Sequence, residues 1–224
     1  MHETARRNAE LFFKTYTGGL QALKIVEIGS QDVNGSIREY SPETATYIGL
    51  DFSEGKGVDL VLGDPYSLPF ETESLDVVVS SSCFEHSEFF WLLFNEIMRV
   101  LKPEGLFYLN VPSNGPFHRY PVDCWRFYPD SGNALVAWAQ RSGYNSIQLE
   151  SFTTGQDEGI WNDFVSIFLK NKAYLDRHPN RILTTINNYT NGLTYENNSF
   201  HNIRQLPEDM AKLKMISEFV SKNY

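Results

Sequence analysis

The chain has 224 residues, 42% hydrophobic and 21% charged, which suits one sizeable folded domain and excludes a disordered composition. Its 19 Lys and Arg stand against 28 Asp and Glu, and the resulting net charge of −9 argues against general nucleic-acid binding and against docking on anionic lipid. Two cysteines, Cys83 and Cys124, are too few for a disulfide framework or a four-thiolate zinc site, and no run of about 18 apolar residues is present to cross a membrane.

Residues 1–13 read as an amphipathic helix without the apolar stretch of a signal peptide, so a cytoplasmic location is expected. Asn-x-Ser/Thr triplets at Asn34, Asn188 and Asn197 carry no weight without secretion. Short runs rich in Val, Ile and Leu at residues 24–28, 46–50, 58–62, 75–80 and 106–111 read as strands covered on both faces. A helix is predicted over residues 87–101, where Phe90, Leu93, Phe94, Ile97 and Leu101 share one face, with Lys102-Pro103-Glu104-Gly105 as its stop. A further helix is expected over residues 131–143. Residues 147–152 and 163–169 read as a hairpin at the sheet edge, joined by the polar loop 153–159. The last 54 residues are rich in Asn, turn-like over 187–198 and helical over 207–220. The alternation predicts an α/β, Rossmann-like doubly wound sheet, mostly parallel with an antiparallel edge hairpin, plus a C-terminal helical tail. Residues 1–170 would form the domain and 171–224 an appendage, serving as a lid or as the contact of a homodimer.

The first strand runs into Glu27-Ile28-Gly29-Ser30-Gln31-Asp32-Val33-Asn34-Gly35-Ser36. Gly29 would allow close backbone approach to a ligand, and a helix after the turn would offer free N–H groups. Gln31 and Asn34 stand where a dinucleotide fingerprint has glycines, which disfavours NAD or FAD. Asp51 ends the second strand 24 residues after Glu27, where a carboxylate can accept two ribose hydroxyls. Asp64 follows the third strand, so three acids converge on one crevice.

The ordered segments IVEIGS, YIGLDFS, GDPYSLPFETESLDVVVSSSCFEH and EIMRVLKPEGLFYLNVPS, over residues 25–113, resemble the class I S-adenosylmethionine-dependent methyltransferases, in particular the small-molecule type 11-like domain family. The resemblance implies S-adenosyl-L-methionine as cofactor and S-adenosyl-L-homocysteine as product. It places Glu27, Gly29, Ser30 and Gln31 at the methionine end, Asp51 and Phe52 at the ribose, Asp64 and Pro65 beside adenine, and Ser80 and Ser81 where the fourth strand opens. Gln31 departs from the commoner second glycine. The Asp-Val-Asn-Gly-Ser turn resembles those of methyltransferases in surface-polysaccharide biosynthesis. Enzymes that methylate base amino groups carry Asn/Asp-Pro-Pro-aromatic after the fourth strand; here that place reads Ser80-Ser81-Ser82-Cys83-Phe84.

The loop after the fifth strand, residues 112–127, is polar, aromatic and proline-bound. His118 is a candidate general base. His86 is a second candidate base, or else a group that only hydrogen-bonds a helix end or a loop backbone. Tyr120 and Trp125 are candidates to stack on a sugar or another ring, and Arg119 and Arg126 to hold an anion. Asp123 would orient His118 or pair with an arginine. No dense ligand motif supports a metal at His86, His118 and Asp123, and none is expected. The expected partner is a small polar molecule, with a carbohydrate favoured, no nucleic acid and no membrane. A lipid-like or quinone substrate is the first rival, and a catalytically inactive partner subunit of the same fold is the second.

Overall fold

The computed structural model describes residues 2–156, 159–197 and 199–223; Met1, Asp157, Glu158, Asn198 and Tyr224, which fall within the sequence readings of the first helix, the 153–159 loop and the tail, lie outside the described residues. Eight strands form one sheet: β1 (Lys24–Ile28), β2 (Thr46–Asp51), β3 (Leu60–Val61), β4 (Leu75–Ser81), β5 (Leu101–Pro112), β6 (Ile147–Thr154), β7 (Asp163–Leu169) and β8 (Tyr189–Thr194). Their spatial order is β3-β2-β1-β4-β5-β7-β6-β8. The first five run parallel, and β7, β6 and β8 each pair antiparallel with the preceding neighbour. Strand order reverses between β1 and β4, which opens a crevice at their carboxyl ends.

Alternate residues of the central strands feed two cores. Val78, Phe107 and Leu109 face a cluster made with Leu93, Phe94, Ile97 and Met98 of α2 (Phe90–Val100) and Leu135 and Ala139 of α3 (Ser131–Arg141). Val77, Val79, Leu106 and Tyr108 face the opposite cluster, closed by Ala9 and Phe12 of α1 (Glu3–Phe12), by Phe13 and Tyr16 in the π-turn that extends it, and by Ile37 and Ile182. This two-sided cover is why the strands read as continuous apolar runs.

Several elements differ from their predicted form. No α-helix follows β1; a four-residue 3-10 turn, Ile37–Tyr40, stands there, so the expected helix N-terminus does not exist. Residues 29–36 are used up by a turn in which Asp32 accepts from the Gly35 N–H at 2.7 Å, and Pro42 follows too soon for a helix to grow. The third strand shrinks to Leu60–Val61, whose side chains are exposed at the sheet edge rather than covered. α2 starts at Phe90, and His86 instead ends a separate 3-10 turn, Phe84–His86. Lys102 to Gly105 does not form a stop: Leu101 already pairs with Leu75, and a register shift absorbs the extra residues. The β6–β7 hairpin lies inside the sheet, because β8 covers its outer edge. The final helix, α4 (Glu208–Asn223), follows Pro207 and is tied to the body through Glu208, which accepts from the Gln156 N–H at 2.9 Å and from Asn162 Nδ2 at 3.0 Å. No helix among the described residues is long and apolar enough to cross a membrane.

Glu150 fastens the late chain to the early one. Fully buried on β6, its carboxylate accepts from the Tyr16 hydroxyl and the Ile182 N–H at 2.6 Å each, and from the Leu183 N–H at 2.9 Å. Replacing it with Ala strands three buried donors, so Glu150→Ala should cost about 3 kcal/mol in urea unfolding. Glu150→Gln, which keeps acceptor capacity, should cost clearly less; equal losses in the two variants would refute this account.

Candidate active site

The carboxyl ends of β1, β2 and β4 border a cavity of about 590 Å³, a size that accommodates a small-molecule ligand. Its floor is the turn after β1. Gly29 holds φ at +79°, and a Cβ there would lie 2.6 Å from the Cys83 Cβ, so only glycine fits. Asp51 is buried at the end of β2, where its two carboxylate oxygens accept from the Gln31 N–H at 3.2 Å and the Ser53 N–H at 3.3 Å. Glu27 is buried beneath and accepts from the Tyr47 hydroxyl at 2.8 Å. Burial pushes its carboxyl up to about 7, against an ordinary value of 4.5.

The other sequence-derived residues divide. Ser30, Gln31, Phe52, Pro65 and Ser81 line the cavity with Glu27, Gly29 and Asp51. The Ser30 and Ser81 hydroxyls are buried and make no hydrogen bond. Ser80 lies outside the walls: its hydroxyl donates to the Ile28 carbonyl at 3.0 Å and braces β4 against β1. Asp64 is exposed and also outside, accepting from the Tyr66 N–H at 2.9 Å as the start of its own turn.

Opposite the turn, the loop after β5 supplies the far wall through His118, Arg119, Tyr120, Pro121 and Val122. Asp123 organises this loop from beneath. Its buried carboxylate accepts the His118 N–H at 2.7 Å and both guanidinium nitrogens of Arg126, at 2.6 and 2.9 Å. The Arg126 fork holds the Asp123 carboxyl down to about 2. Arg126 and Asp123 are thus spent on each other and stand outside the cavity walls. Trp125 also stands outside, donating from Nε1 to the Ser87 carbonyl at 2.9 Å and packing its ring edge-on against Phe90 and Trp91. Tyr120 reaches across the mouth to Gln31, donating to Oε1 at 2.6 Å. Gln31 in turn lies against Gly55 and donates to the Glu54 carbonyl at 3.3 Å.

His86 and His118 meet edge-to-face with ring centroids 4.9 Å apart, and both line the cavity. His86 Nδ1 donates to the Val122 carbonyl at 2.5 Å, which leaves the lone pair on Nε2. Burial keeps this imidazole below its usual pKa. Behind it lies Glu85, almost wholly buried, with Oε1 3.7 Å from His86 Nε2 and Oε2 without a partner. Burial pushes its carboxyl up to about 8. Sequence reasoning missed Glu85; the one available signal was the Glu-His pair directly beyond the β4 strand.

The fold has well-populated relatives. A crystal structure of 1,6-didemethyltoxoflavin-N1-methyltransferase from Burkholderia thailandensis, with 1,6-didemethyltoxoflavin and S-adenosylhomocysteine bound, superposes with a TM-score of 0.59 at 16% identity, covering 76% of this chain and 80% of that one. The chain has the Rossmann-like fold of that methyltransferase. Residues 27–109 match the family model described as a methyltransferase domain. The phthiotriol/phenolphthiotriol dimycocerosates methyltransferase of Mycobacterium tuberculosis is 31% identical over 140 residues, which are 54% of this chain and 50% of that protein. A chloroplastic 2-methyl-6-phytyl-1,4-hydroquinone methyltransferase of Oryza sativa subsp. japonica is 25% identical over 67% of this chain and 47% of its own length. The chain therefore spans about half the length of these curated relatives.

Within this methyltransferase fold, Glu27 yields a pH signature. Its folded-state pKa is raised, so between pH 4.5 and about 7 the folded chain keeps a proton that the unfolded chain has lost. Its contribution is fully present below 4.5 and is lost as the pH rises through 7. Glu27→Gln cannot lose it, so this variant should gain stability relative to the parent as the pH rises across that window in denaturant titrations. A difference that stays constant with pH would contradict the assignment.

Proposed function

We propose that the chain transfers a methyl group from S-adenosylmethionine to a hydroxyl of a small polar acceptor. One observation carries this reading: Gly29, Asp51 and Ser81 on the sheet side and His86 and His118 on the loop side wall a single cavity. The cofactor fits the residues present. The space beside Gly29 has no room for a side chain, Asp51 is fixed by two backbone N–H groups, and the buried hydroxyls of Ser30 and Ser81 have unused hydrogen-bonding capacity.

When bound, the sulfonium supplies a methyl carbon already activated for displacement. The protein's part is alignment and proton removal. Asp51 would hold ribose hydroxyls, and Glu27 and Gly29 the methionine end. The loop wall would hold the acceptor oxygen in line with that methyl carbon, for a displacement in which the sulfur is the leaving group. The hydroxyl proton leaves toward the imidazoles of His118 or His86, an assistance worth about 10²–10⁴-fold. Well-aligned approach supplies the larger share.

The acceptor we favour is a sugar or a sugar-bearing intermediate, as in polysaccharide biosynthesis. The polar wall of His118, Arg119 and Tyr120 supports it, since sugars need hydrogen-bonding groups beside a ring on which to stack. A lipid- or quinone-like acceptor is the second reading. It is favoured by the apolar side of the same cavity, where Val33, Phe52, Leu62 and Leu93 stand, and by the names of the M. tuberculosis and O. sativa relatives.

Calorimetric titration with S-adenosylmethionine and S-adenosylhomocysteine tests the cofactor. Micromolar binding of both, about −8 kcal/mol, is expected, weakened at least tenfold in Asp51→Asn. His118→Ala should keep that affinity and lose turnover on a screened panel of nucleotide sugars and hydroquinones. Absence of binding by the folded protein would overturn the enzyme reading in favour of an inactive partner subunit.

A further inference from the structure

We propose that Glu85, His86 and His118 form a binding site for one divalent first-row transition-metal ion at the wall of the cavity. One ligand atom from each lies within 4.8 Å of the other two, and among the described residues no other three such groups come together in this way. The closest measured pair, Glu85 Oε1 and His86 Nε2 at 3.7 Å, is near the separation of about 3.3 Å that two tetrahedral ligands adopt around an ion bonded at about 2.0 Å. His118 is the most exposed of the three, with 38% of its side chain accessible.

Three further features belong to a site built for a cation. The first is Glu85 itself: a carboxyl group sealed beneath the loop whose Oε2 has no hydrogen-bond partner. The second is the outer set of hydrogen bonds. His86 Nδ1 donates to the Val122 carbonyl at 2.5 Å. His118 Nδ1 faces the Pro116 carbonyl at 3.2 Å and Asp123 Oδ2 at 3.4 Å. Two oxygens outweigh the single guanidinium nitrogen of Arg126, 3.5 Å away, and assign the proton to Nδ1. Both imidazoles thus present Nε2 lone pairs while carbonyl or carboxylate oxygens hold the other nitrogen, the arrangement that orients histidine ligands in metal centres. The third is location. His86 and His118 line the cavity, so coordination positions left open by three protein ligands adjoin it.

Two imidazoles and one carboxylate favour Zn²⁺, Mn²⁺ or Co²⁺ over Mg²⁺, which takes oxygen ligands. On the methyl-transfer reading above, on which this role but not the site depends, the ion would take the acceptor oxygen and lower its pKa, with the imidazoles holding metal instead of accepting the proton.

The test is calorimetric titration of metal-free full-length protein with Zn²⁺, with Co²⁺ visible absorption as a second readout. One ion per chain is expected, with affinity reduced about 10–100-fold in His118→Ala and in Glu85→Gln and unchanged in Cys124→Ser. Glu85→Gln is isosteric, and His118 is partly exposed, so circular dichroism should show both variants folded. The proposal is overturned if the folded parent takes up no ion, if neither variant weakens uptake, or if Cys124→Ser abolishes it. Titrating S-adenosylhomocysteine into the same samples separates the two ideas. Metal uptake without cofactor binding would sink methyl transfer and keep the metal site; cofactor binding without metal uptake would do the reverse.

Discussion

The loop on the far side of the cavity depends on one half-buried ion pair, Asp123 with Arg126. A sixteen-residue loop with four prolines or glycines has many conformations available, and ordering it costs entropy at each residue. The Asp123 carboxylate repays part of this by gathering the His118 N–H and the Arg126 guanidinium at one point. The same fork carries Arg126 Nη2 to the Pro116 carbonyl at 2.8 Å, so both ends of the loop's tip are fixed. The loop is also sewn to the 3-10 turn that follows β4, since the Cys124 and Trp125 N–H groups both donate to the Glu85 carbonyl, at 2.8 and 3.2 Å. Histidines contributed by two distant segments, one at the end of a short 3-10 turn and one in the loop, consequently meet.

Much of the fold was legible because its strands are covered on both faces. The runs that became β1 and β4 are apolar at successive positions, and no helix of that length is bounded so closely by turn residues. Where cover is missing, the reading failed. The third strand looked buried but lies open at an edge. β8 was hidden because Tyr189–Thr194 contains Asn and Gly, residues that sequence patterns assign to turns, and only the exposed edge of β6 makes a strand of it. The helix expected after β1 was a family habit that this turn, anchored by Asp32, leaves no chain to build.

The candidate site was legible where chemistry and strand ends coincide: Glu27, Gly29 and Asp51 were read from the strand ends and Ser81 from the family resemblance, and all four line the cavity. Asp123 does what its sequence reading allowed, touching His118 and pairing with an arginine, whereas Arg126 and Trp125, read as candidates to face a ligand, hold the loop together, because a sequence does not reveal which groups are already paired. Glu85 failed for the opposite reason: a carboxylate is ordinarily at the surface, and only the packed loop shows this one to be sealed. Gln31, the departure from the second glycine, is explained by its surroundings. Its side chain occupies the space left by Gly55 and meets Tyr120, so one residue spans the turn and the loop.

The placement of β8 has a consequence for how the chain is made. Its partner β6 is complete at residue 154, yet the strand that covers its edge ends at residue 194. Until then β6 presents open N–H and C=O groups, a template for pairing with another chain. Domains emerge from their N-terminal side at a few residues per second, so this edge stays bare for several seconds of synthesis. The Tyr16 to Glu150 hydrogen bond closes a loop of 134 residues, the kind of distant pairing that slows folding. A nascent chain of this protein is therefore most exposed to misassociation just before its last strand arrives.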